Sequence, residues 1–266
     1  MIKSKMKQQA LFGTLIKIVD DPAMLIMAKD AGMDFVFYDC EHGMIPYDRL
    51  HDLMLMGNGI KMPSIVRAAQ LARSDVSRVL DCGAMGVMVP MIETSEQARQ
   101  LVQWSKYPPL GSRSYSGGAN TFYKPSGNHQ ENMRELNQST ITIAQIETVK
   151  GVENVDEIAQ VEGIDALIVG PADLGISMGN PDNMMHPDEL ALIRKVANAC
   201  KRADKGFGII GPLPLIAEFK NDIDLLISAI DVNILRDGLK QFVKGYQDII
   251  KYRRIYGNNE SNHRSP

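Results

Sequence analysis

Eight short runs rich in valine and isoleucine punctuate this chain: LFGTLIKIV (11–19), DFVFYD (34–39), MPSIVR (62–67), GVMVPM (86–91), TITIAQIE (140–147), IDALIVG (164–170), GFGII (206–210) and DLLISAI (224–230). Several lack the polar–apolar alternation of a strand with one wet face, so they read as strands covered on both sides. Helical patterns lie between most of them. PAMLIMAKDAG stops at Gly32; SDVSRVLDCGA opens with Ser74 as N-cap and stops near Gly83; SEQARQLVQWSK opens at Ser95 with Glu96 in its first turn; PDELALIRKVANACKRADKG runs to Gly206. Strands that alternate with helices argue for a parallel β/α array. In 266 residues, eight repeats close most simply as a (β/α)8 TIM barrel. A doubly wound open sheet is the alternative, but no GxGxxG opens the first helix. The expectation is one barrel domain over residues 1–255, ending in a long helix at about 231–255, and a disordered polar tail, YGNNESNHRSP, over 256–266.

Composition narrows the function. A net charge of −3 favours neither nucleic acid nor an anionic membrane. No apolar run approaches the length of a membrane span, and MIKSKMKQQA is followed by no long apolar segment, so it does not read as a secretory signal. Three scattered cysteines, Cys40, Cys82 and Cys200, suit neither a disulfide framework nor a zinc site, and the expected compartment is the reducing cytoplasm.

In a β/α barrel the active site gathers at the C-terminal ends of the strands. Here those ends are polar: Asp39, Glu41 and His42 after the second run, Arg67 after the third, Gln145 and Glu147 after the fifth, Asp173 after the sixth. Glu147 and Asp173, at neighbouring strand ends, would repel each other if bare, and a hard divalent cation with one or two carboxylate ligands relieves that repulsion. Taken singly, each also fits a helix cap or first turn. Arg67 suits a negative substrate or a developing enolate oxygen, or a salt bridge to Asp39 or Glu41. His42 is placed to take a proton, with Asp81 as a candidate orienting carboxylate; a carboxylate at the end of a helix is otherwise disfavoured by the dipole. Lys17 would serve a Schiff-base aldolase, but beside a metal pair a salt bridge at the rim is its plainer role. The Gly-, Pro- and Ser-rich connection 106–140 reads as a lid or binding loop, with Arg113 as a candidate anion contact.

The segments AGMDFVFYDCEHG, MPSIVRAA, VLDCGAMGVMVPMIETSEQAR, KYPPLGSRS, IAQIET and VEGIDALIVGPADLG together resemble the HpcH/HpaI aldolases, the metal-dependent (class II) pyruvate aldolases, over roughly residues 10–250. The resemblance implies a TIM barrel whose last helix is exchanged between subunits in a trimer of dimers. It implies Mg²⁺, Mn²⁺ or Co²⁺ held by Glu147 and Asp173, and a His42–Asp81 dyad. It further implies Arg67 on the ketone or enolate oxygen, Gln145 lining the site, and backbone N–H groups of Ala172 and Asp173 on the 2-oxo acid carboxylate. The implied reaction is reversible cleavage of a 4-hydroxy-2-oxo acid to pyruvate and an aldehyde through an enolate at the metal. Ser114 stands where the family's PPxGxRG loop carries glycine, and that loop is expected to face the aldehyde. Two alternatives remain: a decarboxylase or carbon–carbon bond-forming enzyme for oxaloacetate-like acids on the same metal site, and a non-catalytic barrel that binds an organic acid.

Overall fold

The computed structural model describes residues 2–124 and 127–260, with side chains to residue 251. Eight parallel strands close a barrel in sequence order: β1 (Leu11–Ile16), β2 (Phe35–Asp39), β3 (Ser64–Arg67), β4 (Gly86–Val89), β5 (Ile141–Ile146), β6 (Ala166–Val169), β7 (Gly206–Ile210) and β8 (Leu225–Ile230). Each falls inside one of the eight apolar runs. The alternation of side chains along a strand sorts residues between two cores. Phe35 and Phe37 of β2 join Leu11, Leu15, Ile65, Met88, Ile143 and Ile168 inside the barrel. Val36 and Tyr38 point outward and pack under the surrounding helices. Both faces are apolar, which is why the strands show no alternation in sequence.

The floor of the barrel, at the strand N-termini, is plugged by Ile2 and Met6 of a short first helix, Ile2–Met6. Three aspartates pin it. Asp34, Asp165 and Asp224 each precede a strand and accept the N–H of Phe12, Thr142 and Phe207 on the strand before, while donating their own N–H to that residue's carbonyl. This repeated two-way bond fixes the relative stagger of strand pairs.

Helix starts differ from the sequence reading by a residue or two. The helix Ser95–Ser105 is capped by Thr94 in a capping box with Gln97, and the helix Arg73–Asp81 begins before Ser74. The last helix, Asp231–Glu260, runs beyond its expected end near 255; residues 261–266 of the expected tail lie outside the described residues. Among the described residues no helix is long and apolar enough to cross a membrane.

Candidate active site

Stepping two residues at a time along the interior rows leads from hydrocarbon to charge. Leu15 is followed by Lys17, Phe37 by Asp39, Ile65 by Arg67, and Ile143 by Gln145 and then Glu147. The mouth layer is therefore a continuation of the barrel core with its side chains exchanged for ionisable ones.

The groups of β2, β3 and β5 form one hydrogen-bonded network, joined by the N–H of Met91 after β4. Asp39, fully buried, accepts Nε of Arg67 at 2.8 Å and Nη2 at 2.6 Å, a two-pronged pair, and also the backbone N–H groups of Glu41 and His42 at 3.1 and 3.3 Å. Burial pushes the Asp39 carboxyl up, but Arg67 more than offsets it, and its pKa lies below the usual value. Arg67 reaches onward through Nη1 to Gln145 Oε1 at 3.3 Å and to Glu41 Oε2 at 2.9 Å. Gln145 donates to Glu147 Oε2, and the N–H of Met91 donates to Glu147 Oε1 at 2.8 Å. Met91 makes that bond from a left-handed backbone conformation, φ 57°. Gly170 at the end of β6 leaves room for the pair: a Cβ there would sit 2.5 Å from Glu147 Oε2 and 2.7 Å from Gln145 Nε2.

Carboxylates outnumber their partners here. Glu147 is 2 % exposed, and burial, with Glu41 and Asp173 nearby, raises its pKa to about 7. Burial likewise raises Glu41, against the pull of Arg67, and Glu41 Oε2 is a buried oxygen that receives no aligned hydrogen bond. Asp173 stands in the first turn of the helix Pro171–Ser177, which β6 feeds directly. Among the described residues no group of three or more His, Cys, Asp or Glu makes a ready cage for a metal ion. The donor set instead fits a hard cation that takes one or two carboxylates and leaves its other positions to water and substrate oxygens. Bound there, such an ion would offset the surplus negative charge that makes Glu147 hard to ionise.

Two expected partners lie elsewhere. Asp81 ends the helix that carries the chain away from the mouth, and its Oδ1 is held by Arg113 Nη2 at 2.6 Å. His42 instead has Glu41 Oε2 at 3.6 Å, with its side chain half exposed. A His42–Asp81 dyad is therefore not formed within one chain. Arg113 is buried, stacked over the Tyr107 ring at 4.9 Å. The connection 106–140 follows a helix and precedes a strand, which in a parallel barrel puts it at the floor; its first residue, Lys106, bonds Thr140 and Asp165 there. The expectation that this loop and Arg113 face the aldehyde is corrected for the single chain. Sequence reasoning also missed two organisers of the mouth. One is the Met91 N–H. The other is Asp231, whose buried carboxylate accepts the N–H groups of Lys17, Ile18 and Val19 at 2.8–3.1 Å. An aspartate directly after a strand, in SAID, was the available signal.

Comparisons with known proteins agree with the barrel fold and show the family. The family model described as HpcH/HpaI aldolase/citrate lyase matches residues 18–211. The chain is 35% identical over 196 residues to a 2-keto-3-deoxy-L-rhamnonate aldolase of Klebsiella pneumoniae subsp. pneumoniae, covering 73% of each. Among solved structures it is similar to an HpcH/HpaI aldolase from Desulfitobacterium hafniense, with TM-score 0.87 and 31% identity over 92% of this chain and 96% of that one. It is also similar to the citrate synthase SbnG, with TM-score 0.84 and 26% identity over 94% of this chain and 98% of that one.

Proposed function

The chain belongs to the HpcH/HpaI aldolase/citrate lyase family and is an enzyme of the aldolase and lyase class, and from that premise we propose that its barrel mouth reversibly cleaves a 4-hydroxy-2-oxo acid to pyruvate and an aldehyde. The observation that carries the reading is Glu147, buried beside two further carboxylates and linked through Gln145 to a guanidinium fixed by Asp39.

Glu147 and Asp173 would hold one divalent cation, Mg²⁺, Mn²⁺ or Co²⁺, which when bound supplies Lewis-acid polarisation of a carbonyl. The chain's own groups do the rest. The N–H groups of Ala172 and Asp173, in the first turn of their helix and outside its hydrogen-bond ladder, receive the 2-oxo acid carboxylate. His42, the half-exposed base at the rim, takes the C4 hydroxyl proton. The C3–C4 bond breaks, the aldehyde leaves, and the electron pair passes into the enolate of pyruvate. Arg67 faces the developing oxyanion; because Asp39 grips it at two points, it stabilises that charge without having to reorganise. Protonation at C3 completes pyruvate.

Pyruvate release from a panel of 4-hydroxy-2-oxo acids tests this, with Mn²⁺ or Mg²⁺ and again with EDTA. At least one substrate should be cleaved with the ion and none with the chelator. Cleavage that ignores EDTA, or no cleavage despite tight metal binding, would defeat it. The likeness to a citrate synthase favours one second reading: decarboxylation of, or carbon–carbon bond formation on, an oxaloacetate-like acid at the same site. His42→Ala separates the two. Aldol cleavage needs a base for the C4 hydroxyl and should fall steeply, whereas decarboxylation should persist.

The last helix supports a partner of the same kind. Leu235, Leu239, Phe242, Val243, Tyr246 and Ile250 are each about half exposed or more and recur at helical spacing, an apolar stripe that calls for cover. We read it as a contact between copies, in a trimer of dimers with this helix exchanged. Sedimentation should give six chains, and Leu239→Lys with Phe242→Lys should lower that number.

A further inference from the structure

Among the described residues the His42 ring makes no hydrogen bond; Glu41 Oε2 stands 3.6 Å away, beyond that range. Where the imidazole sits is therefore decided by the backbone that carries it. That backbone, residues 40–44, is held on two sides. On one side the Cys40 N–H donates to the Arg67 carbonyl at 3.0 Å, and the N–H groups of Glu41 and His42 donate to Asp39 Oδ1. On the other side stands Lys17, the first residue after β1. Its carbonyl accepts the Met44 N–H at 3.3 Å, and Gly43 lies flush against it. A Cβ on Gly43 would sit 2.9 Å from the Lys17 carbonyl oxygen and 3.2 Å from its Cα, and would clash with the Asp39 carbonyl oxygen. Backbone packed on backbone leaves little slack, so the loop follows Lys17.

Lys17 is held in turn from the far end of the chain. The register of β1 on β2 ends at Ile16, and the next three N–H groups, of Lys17, Ile18 and Val19, turn together onto the Asp231 carboxylate at 2.8–3.1 Å. Oδ2 accepts all three, while Oδ1 accepts Lys17 again and the Val232 N–H at 2.8 Å. Successive N–H groups converging on one anion make a nest, and this one closes on a carboxylate that is 2 % exposed. Asp231 also opens the last helix, so one side chain joins that helix to the β1 rim. Glu147 and Asp173 follow β5 and β6, and their hydrogen bonds do not pass through this chain of contacts.

We propose that Asp231 is a positioning residue for His42: its carboxylate fixes residues 17–19, and through the Lys17 carbonyl and Gly43 it fixes the loop that presents the imidazole to the C4 hydroxyl, a role that rests on the cleavage reaction proposed above. Asp231 touches no reacting atom. Its loss displaces the base and leaves the carboxylates across the mouth where they are, so it acts on proton transfer and not on binding of the 2-oxo acid or the metal ion.

Hydrogen–deuterium exchange and turnover, both on the full chain with Mn²⁺, test it together. Asp231→Asn keeps the shape but puts an amide NH₂ where one oxygen accepted N–H groups; Asp231→Ala removes both oxygens, and if it does not fold, Asp231→Asn carries the test. In Asp231→Asn the amides of residues 40–45 should exchange roughly tenfold faster, the worth of one hydrogen bond, while β5 and the helix Pro171–Ser177 keep their protection. On a cleaved 4-hydroxy-2-oxo acid, kcat should fall roughly 10–10²-fold, with KM and Mn²⁺ affinity within about twofold of wild type. In a His42→Ala background, where no base is left to misplace, the same substitution should cost under about twofold. Unchanged exchange of residues 40–45 would overturn the assignment. So would an equal loss in both backgrounds, or a rise in KM and a weakening of Mn²⁺ binding that match the fall in kcat. A chain that cleaved no substrate would fail the proposed reaction, whereas the exchange pattern would still judge the link from Asp231 to the loop. A melting temperature for each variant checks that the fold is kept.

Discussion

The barrel buries ionisable groups at both ends, and the two ends treat them differently. At the floor, Lys106 is 1% exposed, yet its Nζ donates to the Thr140 carbonyl at 2.6 Å and lies 3.3 Å from Asp165 Oδ2, while Lys3 holds the other oxygen of Asp165 at 2.9 Å. Lys205 donates to the Ile164 carbonyl at 2.8 Å. Every one of these cations has an acceptor within reach. At the mouth, the four carboxylates Asp39, Glu41, Glu147 and Asp173 stand against two cations, Arg67, which Asp39 grips at two points, and Lys17, 3.6 Å from Asp39; Glu41 Oε2 has Arg67 Nη1 at 2.9 Å but receives no aligned hydrogen bond. A matched set of charges closes a structure, whereas an unmatched set is completed by a ligand.

Substitution at each end should separate the two roles, and the largest effect belongs to the mouth. Arg67→Met should lower kcat by roughly 10²–10³, the usual loss when a preorganised partner of an oxyanion is removed. Arg67→Lys keeps the charge but not the fork, so it should melt closer to wild type and still lose rate. Lys106→Met at the floor should do the reverse. It leaves the Thr140 carbonyl without its donor and should cost about 1–3 kcal/mol of stability in denaturant melts, with kcat little changed. A loss of turnover in Lys106→Met as great as in Arg67→Met would erase the distinction.

The two ends should also answer pH with opposite sign. Glu147 is raised from 4.5 to about 7 by burial, with Glu41 and Asp173 adding to it. Between those values the metal-free native chain keeps a proton that the unfolded chain has released, so stability should fall as pH rises through that window. Lys106 is lowered from 10.5 to about 7 by burial, against the pull of Asp165. Between 7 and 10.5 the unfolded chain holds the extra proton, so stability should rise with pH. Denaturant midpoints across pH should show both slopes, the first missing in Glu147→Gln and the second in Lys106→Met. The smallest effect is expected for Lys3→Met. It removes a partly exposed partner of an aspartate that keeps Lys106 and the Thr142 N–H, and it should cost under about 1 kcal/mol.

How much of this could be read from the chain depends on the direction in which each segment runs. All eight strands were legible, because runs such as FVFYD and ALIV, covered on both faces, carry no polar residue until the end. Asp39, Arg67, Gln145 and Glu147 were legible as strand-end residues for the same reason, since they follow their strands into the mouth. Asp81, as a carboxylate at a helix end, and Arg113, in a loop-like connection, are candidates on local signals that do not register the topology. Asp81 ends one helix and Arg113 follows another, and a helix in a parallel barrel returns the chain toward the floor before its connection begins. The 106–140 segment is long and loop-like in composition, but it leaves the helix Ser95–Ser105 at the wrong end of the barrel to cover the mouth. Lys17 reads as a rim salt bridge, and its Nζ lies 3.6 Å from Asp39 Oδ2 in the mouth.

Titration calorimetry with Mn²⁺ tests most directly whether the surplus carboxylates of the mouth hold a divalent ion. Wild type, Glu147→Gln and Asp173→Asn should be compared in two buffers of different ionisation enthalpy near pH 6. One ion per chain should bind the wild type, with release of part of a proton as Glu147 ionises, and each variant should bind at least roughly tenfold more weakly. Equal affinity across all three proteins would contradict it.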